Sequence, residues 1–462
     1  MFDEARKWAE GEFGSASLGD RRRVDRLVKM AAQAARHPDG KISSVFESDA
    51  ERQGAYDFLE GKVDAASLVD SMAQATFERA NDDRFVYVAV DGSSVSVVDR
   101  AMDKDLGSLG SRNQNGRGMK VMGALAISSR GVTLGLTALE WWARSTKRMK
   151  RSGNRPHRAR ETKYWIDAIE HTAERRNRAG SSATLWFQLD REGDGGVTLR
   201  SLASSGHEYT VRSSHDRRLR DEGSRRRYIR QILRKTPALG ALCFDARESD
   251  GRVRSVIAEI SFAHVTLRLH DHWTKVVRYL DVTAVRVKEI GRAPNRVEWT
   301  LLTNHAVIDF ASACDVVFGY RQRWRIEEFH RAWKSGACRV ETTQLRSARG
   351  VSIWATLLAA VATRVERLKG LARQQPDEPA TIELAEHEVR ALILMKRRRK
   401  KQTETITDDI PSIATAVTWI AELGGYTGKS SGGPPGSVTI ARGLERLTPA
   451  AEMFLLVSKP SR

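Results

Sequence analysis

The sequence predicts an α/β core with a helical segment at each end. Two apolar runs, residues 85–90 and 183–189, have the length and composition of buried strands. An aspartate follows each run directly, Asp91 after the first and Asp190 after the second. Open α/β sheets carry their sites at the carboxyl ends of strands, so these two aspartates are candidate site residues.

The segment between the two strands completes the pattern of the core. Residues 121–127 and 132–139 flank a hairpin signal at 129–131, and residues 162–176 have helical periodicity. The resulting β-β-β-α-β-α order is that of the ribonuclease-H-like fold. We therefore expect an α/β, ribonuclease-H-like core within residues 71–370.

The N-terminal segment, residues 1–70, has the pattern of a small helical domain. Its predicted helices cover residues 5–13, 21–35 and 51–60. Asp20 is suited to cap the second helix, whose first turns carry Arg21, Arg22 and Arg26. A basic helix of this kind is either a solvated surface or a DNA contact, and this segment alone supports both interpretations equally.

The stretch between Asp190 and the C-terminal third is too long for one crossover. Its apolar runs predict strands at 239–244, 253–269, 276–287 and 297–302. We interpret residues 198–298 as a β-rich insertion in the core. Residues 371–462 form a third, helical domain by prediction, which follows a long helix at 351–368. Further helices are predicted at 384–395, 413–423 and near 449–457, with a basic run at 396–401.

Composition narrows the class of protein. The chain has 462 residues, a net charge of +19 and a pI near 10.1, and the excess charge is spread over several arginine and lysine runs. A polyanion partner explains such a surface. The sequence contains no apolar stretch of spanning length and no signal-peptide core, and its three cysteines lack metal-ligand spacing. These features predict a cytoplasmic protein without a membrane partner.

The predicted helix around residues 320–334 is the most informative segment about function. At 100° per residue, Tyr320, Arg323, Glu327 and Lys334 lie within about 60° of one another on one stripe. The apolar residues Ile326, Phe329 and Trp333 fall on another face. Ordinary surface ion pairs are the usual explanation of mixed charges, but aromatic residues interleaved with the charges favour contact with phosphates and bases.

This Y-x2-R-x3-E-x6-K spacing resembles the signature of the cut-and-paste DDE transposases of bacterial insertion sequences, of the insertion-sequence-four type. Further segments resemble the family in the family's order, so the resemblance covers nearly the whole chain. These segments are ASLGDRR at 16–22, GAYDF at 54–58, VDGSS at 90–94, EWW at 140–142, LDREGD at 189–194, EWTLL at 298–302 and LGGY at 423–426. An extended motif with ordered flanking segments is far more specific than one short motif.

Three carboxylates are the candidate catalytic groups and metal ligands. Cleavage and joining of phosphodiesters are served by two Mg²⁺ ions, which take only one or two protein carboxylates each. Asp91, Asp190 and Glu327 would hold these two ions, and Mn²⁺ is expected to substitute. A single aspartate at a strand end is more often a cap or turn residue, but the three together match the family's order and context.

Candidate DNA contacts surround these carboxylates. Arg323 and Lys334 suit phosphate oxygens, and Tyr320 suits a phosphate or a distorted DNA end. The resemblance implies that cleavage passes through a DNA hairpin with a base out of the stack, and it assigns Trp299 to stacking and Arg212 to DNA. Trp324 is a second candidate platform. A core aromatic on an alternating strand is the other interpretation of Trp299.

The leading hypothesis is a transposase that binds the terminal inverted repeats of its own element, pairs them as a homodimer and joins them to target DNA. The resemblance implies that the C-terminal helices make the dimer contact and that Arg21, Arg22 and Arg26 contact the repeats. Two alternatives are a ribonuclease-H-like nuclease without strand transfer and a DNA-binding regulator that does not cut. The basic C-terminal half argues against the first, and the three carboxylates argue against the second.

Overall fold

The computed structural model describes most of the chain. The described residues are 4–80, 83–110, 116–144, 161–247, 253–271, 274–291, 295–399, 405–429 and 433–458.

Five helices precede the sheet. They are α1 (Glu4–Phe13), α2 (Arg21–Arg36), α3 (Ile42–Val45), α4 (Asp49–Glu60) and α5 (Ala65–Glu78). The Asp20 side chain accepts a hydrogen bond from the Arg22 backbone N–H at 2.9 Å and so caps α2. The three helices predicted in this segment are confirmed.

A mixed sheet forms the centre of the molecule. Its strands are β1 (Phe85–Ser96), β2 (Gly107–Ser108), β3 (Arg117–Ile127), β4 (Thr133–Trp142), β5 (Thr184–Leu189), β6 (Glu208–Arg212), β7 (Gly240–Arg247), β8 (Val253–His270), β9 (Val277–Glu289) and β10 (Glu298–Thr303). β1 pairs antiparallel with β3 and parallel with β5, and β6 continues parallel to β5. The described strand order is β2-β3-β1-β5-β6-β10-β9-β8-β7, with β4 on β3.

The remaining helices cover the sheet and complete the C-terminal part. They are α6 (Thr162–Arg178), α7 (Gly196–Ser204), α8 (Ile229–Lys235), α9 (Phe310–Gln322), α10 (Trp324–Lys334), α11 (Ala348–Gln374), α12 (Glu386–Arg399), α13 (Ile413–Leu423) and α14 (Ser437–Ser458). The last helix begins earlier than predicted and continues through Pro449. Residues 396–399 of the basic run end α12, and residues 400–401 lie outside the described part of the chain.

The predicted insertion differs from the observed arrangement at its start. Residues 198–212 contain most of α7 and the strand β6, which is a central strand because it pairs with both β5 and β10. The strands β7 to β9 extend the same sheet through β10 instead of forming a separate layer. Periodicity predicted no strand at 208–212 and cannot show which neighbour a strand pairs with, so the insertion predicted from about residue 198 begins before the core strand β6.

Two apolar clusters lie on the two faces of the sheet. One joins the N-terminal helices, α9 to α11 and the C-terminal helices, and the other joins the sheet to α6, α7 and α8. The domain boundaries predicted at residues 70 and 370 fall inside α5 and α11. Both helices are continuous through the predicted boundary and bury apolar residues on either side of it. The amino-acid composition therefore does not change at residues 70 and 370 in a way that would indicate a domain boundary.

Within the described residues, no helix has both the length and the apolar character needed to cross a membrane.

Candidate active site

The first candidate carboxylate lies inside a strand. β1 continues to Ser96 because it keeps pairing with β3, whereas its parallel pairing with β5 ends at Val90. Asp91 is therefore the first residue beyond the parallel pair, and its carboxylate accepts a hydrogen bond from the Gly92 backbone N–H at 2.9 Å. The predicted end of the strand at residue 90 was too early, but Asp91 does lie where the parallel partner ends.

The second carboxylate follows the neighbouring strand. Asp190 comes directly after β5 and caps a short 3₁₀ turn, Arg191–Gly193, by accepting from the Glu192 backbone N–H at 2.7 Å. Because β1 and β5 are parallel and adjacent, Asp190 and Asp91 leave the sheet at the same edge. The capping role and a role in a site are compatible, since only one carboxylate oxygen makes this bond.

The single helix predicted for the motif is divided into two, α9 and α10, at Arg323. α9 ends at Gln322 and α10 begins at Trp324, and around Arg323 the backbone bonds span three residues: Arg323 N to Tyr320 O and Ile326 N to Arg323 O. The tighter winding changes the angular positions of the residues that follow. The predicted apolar face is confirmed, because Ile326, Phe329 and Trp333 are all fully buried.

Arg323 lies between two of the candidate carboxylates. Its Nη2 donates to Glu327 Oε1 at 2.5 Å, and its Nη1 lies 3.7 Å from Asp91 Oδ2. Burial lowers the pKa of this guanidinium, but Tyr320, Asp91 and Glu327 together outweigh that effect and raise it above its usual value. Arg323 therefore places a fixed positive charge between Asp91 and Glu327.

The carboxylates are close enough to affect one another's charge. Burial raises the pKa of Asp91 to about 7, Arg323 opposes the shift, and the charges of Asp190 and Glu327 add to it. Within the described residues, no three His, Cys, Asp or Glu side chains are arranged as a set of metal ligands. Asp91 and Glu327 are instead held by Arg323, although their oxygen donors suit a hard cation such as Mg²⁺.

A cleft of about 520 Å³ lies beside this group, and five predicted DNA-contact residues line it: Arg212, Trp299, Tyr320, Arg323 and Trp324. The Trp299 and Tyr320 rings meet edge to face, with centroids 5.2 Å apart. The Arg212 guanidinium lies 6.0 Å from the centre of the Trp299 ring, and that of Arg323 lies 5.5 Å from the centre of the Trp324 ring. The structure thus brings together residues from β6, β10 and the helix break.

Sequence reasoning missed several residues of this cleft. Arg296, Arg321, Arg325 and Arg373 also line it, so its wall is more basic than predicted. The Phe244 ring packs against the Trp299 ring, with centroids 5.6 Å apart. Arg321 and Arg325 lie within the motif segment and could have been included, whereas Arg296 and Arg373 carry no local sequence signal.

The remaining predicted contacts lie away from the cleft. Lys334 Nζ is 3.6 Å from Glu341 Oε1, which accepts a hydrogen bond from the Ser96 backbone N–H at the end of β1. On α2, Arg21 and Arg22 are exposed. Arg26 is partly buried and packs so closely on α4 that a Cβ at Gly54 would lie 2.5 Å from its Nη1.

A buried histidine beside Glu327 was also missed. His330 lies one turn further along α10, and its Nε2 has no hydrogen-bond partner within the described part of the chain. Burial, followed by the charges of Lys334 and Arg323, lowers the pKa of His330 to about 3. The ring is therefore neutral at physiological pH and adds no charge to the site.

The fold places carboxylates at the edge of a mixed sheet beside a basic, aromatic cleft, an arrangement suited to a polyanion. Comparison with family models is more particular: residues 5–62 match the model described as transposase DNA-binding, and residues 261–364 match the transposase DDE domain. The two matches support a DDE transposase whose partner is DNA. The first match contains Arg21, Arg22 and Arg26, and the second contains the segment from Trp299 to Lys334.

Proposed function

We propose that this chain is a cut-and-paste transposase of the insertion-sequence-four type. It binds the terminal inverted repeats of its own element, cleaves at both ends through a hairpin, and joins the 3′-OH ends to target DNA. The strand order β4-β3-β1-β5-β6, with β5 and β6 parallel to β1, supports a ribonuclease-H-like core. Exposed apolar residues at the end of α14, including Met453, Leu456 and Val457, support a homodimer through the C-terminal helices.

The observation that carries the proposal is the position of Arg323. Gathering three carboxylates in a partly buried place is unfavourable unless positive charge compensates them, and here one guanidinium contacts two of the three. Asp91, Asp190 and Glu327 would hold two divalent ions, Mg²⁺ or Mn²⁺, and these would supply charge stabilisation for phosphodiester cleavage. With such ions bound to the carboxylates, the Arg323 guanidinium would be available to a phosphate in the adjoining cleft.

The cleft gives the other residues their roles. Trp299 presents a half-buried ring between Phe244 and Tyr320, which suits a base that has left the stack. Arg212 of β6 lines the cleft and suits a backbone phosphate, and Lys334 at the end of α10 suits a phosphate outside it. Trp324 offers a second aromatic surface beside Arg323.

The decisive test is a cleavage and joining assay with the purified protein, an element-end duplex and Mg²⁺. Nicks, hairpins and products joined to a second DNA are expected on a denaturing gel. Nicking without joining would favour a plain nuclease, and binding without cutting would favour a regulator. A second measurement is independent of activity: Mg²⁺ or Mn²⁺ should raise the melting temperature of the parent, and Glu327→Gln should remove most of that increase.

Trp299→Ala is expected to separate the steps of cleavage. The substitution removes a stacking surface worth roughly 1–3 kcal/mol, which is needed only when the strand folds back on itself. The first nick should survive, while hairpin formation or its resolution slows by about one to two decades at 1.36 kcal/mol per decade. A gel time course measures both steps, with Trp299→Phe as the control that keeps an aromatic ring. Equal slowing of nick and hairpin would count against base flipping.

Arg21→Ala/Arg22→Ala is expected to weaken discrimination of the element's own ends. Because α1 to α5 pack into the main apolar cluster, point substitutions are a better probe than truncation of this segment. Competition between the end duplex and a random duplex should show a smaller preference, with weak, salt-sensitive binding retained. Lys7→Ala/Lys41→Ala, also two exposed basic residues, is the matched control. An unchanged preference in the arginine variant would mean that specificity lies elsewhere.

A further inference from the structure

A second basic surface lies outside the cleft. Residues 217–235 contain nine basic and two acidic residues, a net charge of +7 out of the chain's +19. Six of the basic side chains are exposed, and we call them the arginine surface: Arg220, Arg225, Arg226, Arg230, Arg234 and Lys235.

The positive charge of the arginine surface is not neutralised by the carboxylates of its own segment. The two acidic residues of the segment pair with other arginines, Asp221 with Arg218 at 2.5 Å and Glu222 with Arg227 at 2.9 Å. In the described part of the chain, none of the six side chains of the arginine surface forms an ion pair with a carboxylate. Arg220 stacks instead on Tyr279 of β9, 4.4 Å from the ring centre. Concentrated positive charge of this kind attracts a polyanion.

The backbone beneath the arginine surface is well fixed. Arg220 N donates to Thr266 O at 2.8 Å and Arg268 N donates to Arg218 O at 2.9 Å, so the segment pairs with β8. The helix α8 buries Ile229 and Leu233 against the sheet. The charges therefore stand on a rigid base, which lowers the entropy cost of binding a partner.

Asp194 connects this surface to the loop that carries Asp190. The Asp194 side chain is fully buried; its Oδ2 accepts from Ser214 N at 2.7 Å and its Oδ1 accepts from Arg217 Nε at 2.7 Å. Asp194 is only four positions after Asp190, and Ser214 and Arg217 begin the segment that leads to α8. The arginine surface is thus held in a fixed position relative to the candidate active site.

The arginine surface and the cleft lie on different faces of the sheet. Ile229 and Leu233 of α8 belong to the apolar cluster with α6 and α7, whereas Tyr320 and Trp299 belong to the opposite cluster. Two DNA segments, one on each surface, would therefore approach the Asp190 edge from different sides. A reaction that joins two DNA molecules needs two such places.

We propose that the arginine surface binds the duplex that receives the joined ends, that is, the target DNA. This inference rests on the proposed function for the joining step, and its charge argument stands independently of that function. Arginine forks suit the phosphates of any sequence, so the surface would bind duplex DNA without sequence preference. The repeat-specific contacts belong to other parts of the chain.

Arg226→Glu/Arg230→Glu tests the proposal, because neither side chain makes an ion pair within the described residues. The matched control is Arg130→Glu/Lys429→Glu, which changes the charge equally with two exposed residues, one of them at the opposite edge of the sheet. Fluorescence anisotropy with a random-sequence duplex at several salt concentrations gives the first readout. The slope of log K against log salt should fall by about two in the test variant, at about 0.9 per phosphate contact, and stay unchanged in the control.

The second readout compares end cleavage with joining to a plasmid at limiting plasmid concentration. Joining should fall tenfold or more in the test variant while end cleavage stays within twofold of the parent. Parallel loss of cleavage and joining would overturn the assignment to target DNA, because the surface would then hold the element end. An unchanged salt slope would overturn DNA binding by this surface. If the parent does not cleave at all, the proposed function fails, and the slope still decides whether the surface binds duplex DNA.

Discussion

Asp91→Ala, Asp190→Ala and Glu327→Ala are each expected to abolish DNA cleavage and leave binding of the element end largely intact. Each substitution removes an oxygen donor from the group assigned to the divalent ions, and such ions contribute several kcal/mol of charge stabilisation. At 1.36 kcal/mol per decade, the rate should fall by about a thousandfold or more. The measurements are single-turnover cleavage on a gel and end binding by mobility shift.

The control for these variants is Glu170→Ala, which removes an exposed carboxylate on α6, a helix on the other face of the sheet from the cleft. It should cleave at the parental rate. A variant at Asp91, Asp190 or Glu327 that still cuts within a few-fold of the parent would show that its carboxylate is not a metal ligand. Loss of end binding in all three variants would indicate misfolding, which circular dichroism would detect.

Asp91→Asn is expected to stabilise the fold at alkaline pH while removing activity. The pKa of Asp91 is about 7 in the folded protein against 3.8 for an ordinary aspartate, so between these values the folded state binds a proton that the unfolded state releases. The free energy of unfolding of the parent therefore falls as pH rises through this window and stays low above it. Asparagine keeps the acceptor for the Gly92 N–H and carries no charge at any pH, so it avoids this loss.

The expected gain at pH 8 is about 2–4 kcal/mol, since each unit of pKa shift corresponds to 1.36 kcal/mol. Urea unfolding at pH 5 and pH 8, without divalent ions, measures it: pH 5 lies within the window, so the variant's gain over the parent should be smaller there than at pH 8. Asp377→Asn is the control and should follow the parent at both values. Equal stability of parent and Asp91→Asn at pH 8 would contradict the raised pKa. Addition of Mg²⁺ should narrow the difference, because a bound cation stabilises the ionised carboxylate of the parent.

Most local elements of this protein can be predicted from consecutive residues. Apolar runs and periodicity predicted β1, β5, the strands β7 to β10 and most helices. They do so because a buried strand or helix face produces a regular pattern of apolar residues along the chain. The same reasoning identified the buried face of α10 at Ile326, Phe329 and Trp333. It also placed Asp91 and Asp190 at one edge of the sheet, since parallel neighbouring strands end together.

The contacts between these elements depend on how the chain folds. Helical spacing predicts the Arg323–Glu327 pair, four residues apart, but the approach of Arg323 to Asp91 depends on how α10 packs against β1. The cleft draws Arg212, Trp299 and Arg373 from separate elements, and Asp194 binds Arg217 across a loop. Burial and neighbouring charge set the pKa of Asp91, and both depend on residues more than 90 positions away in the chain. Contacts of that kind join residues that are distant in the chain, so no local pattern in a single sequence predicts them.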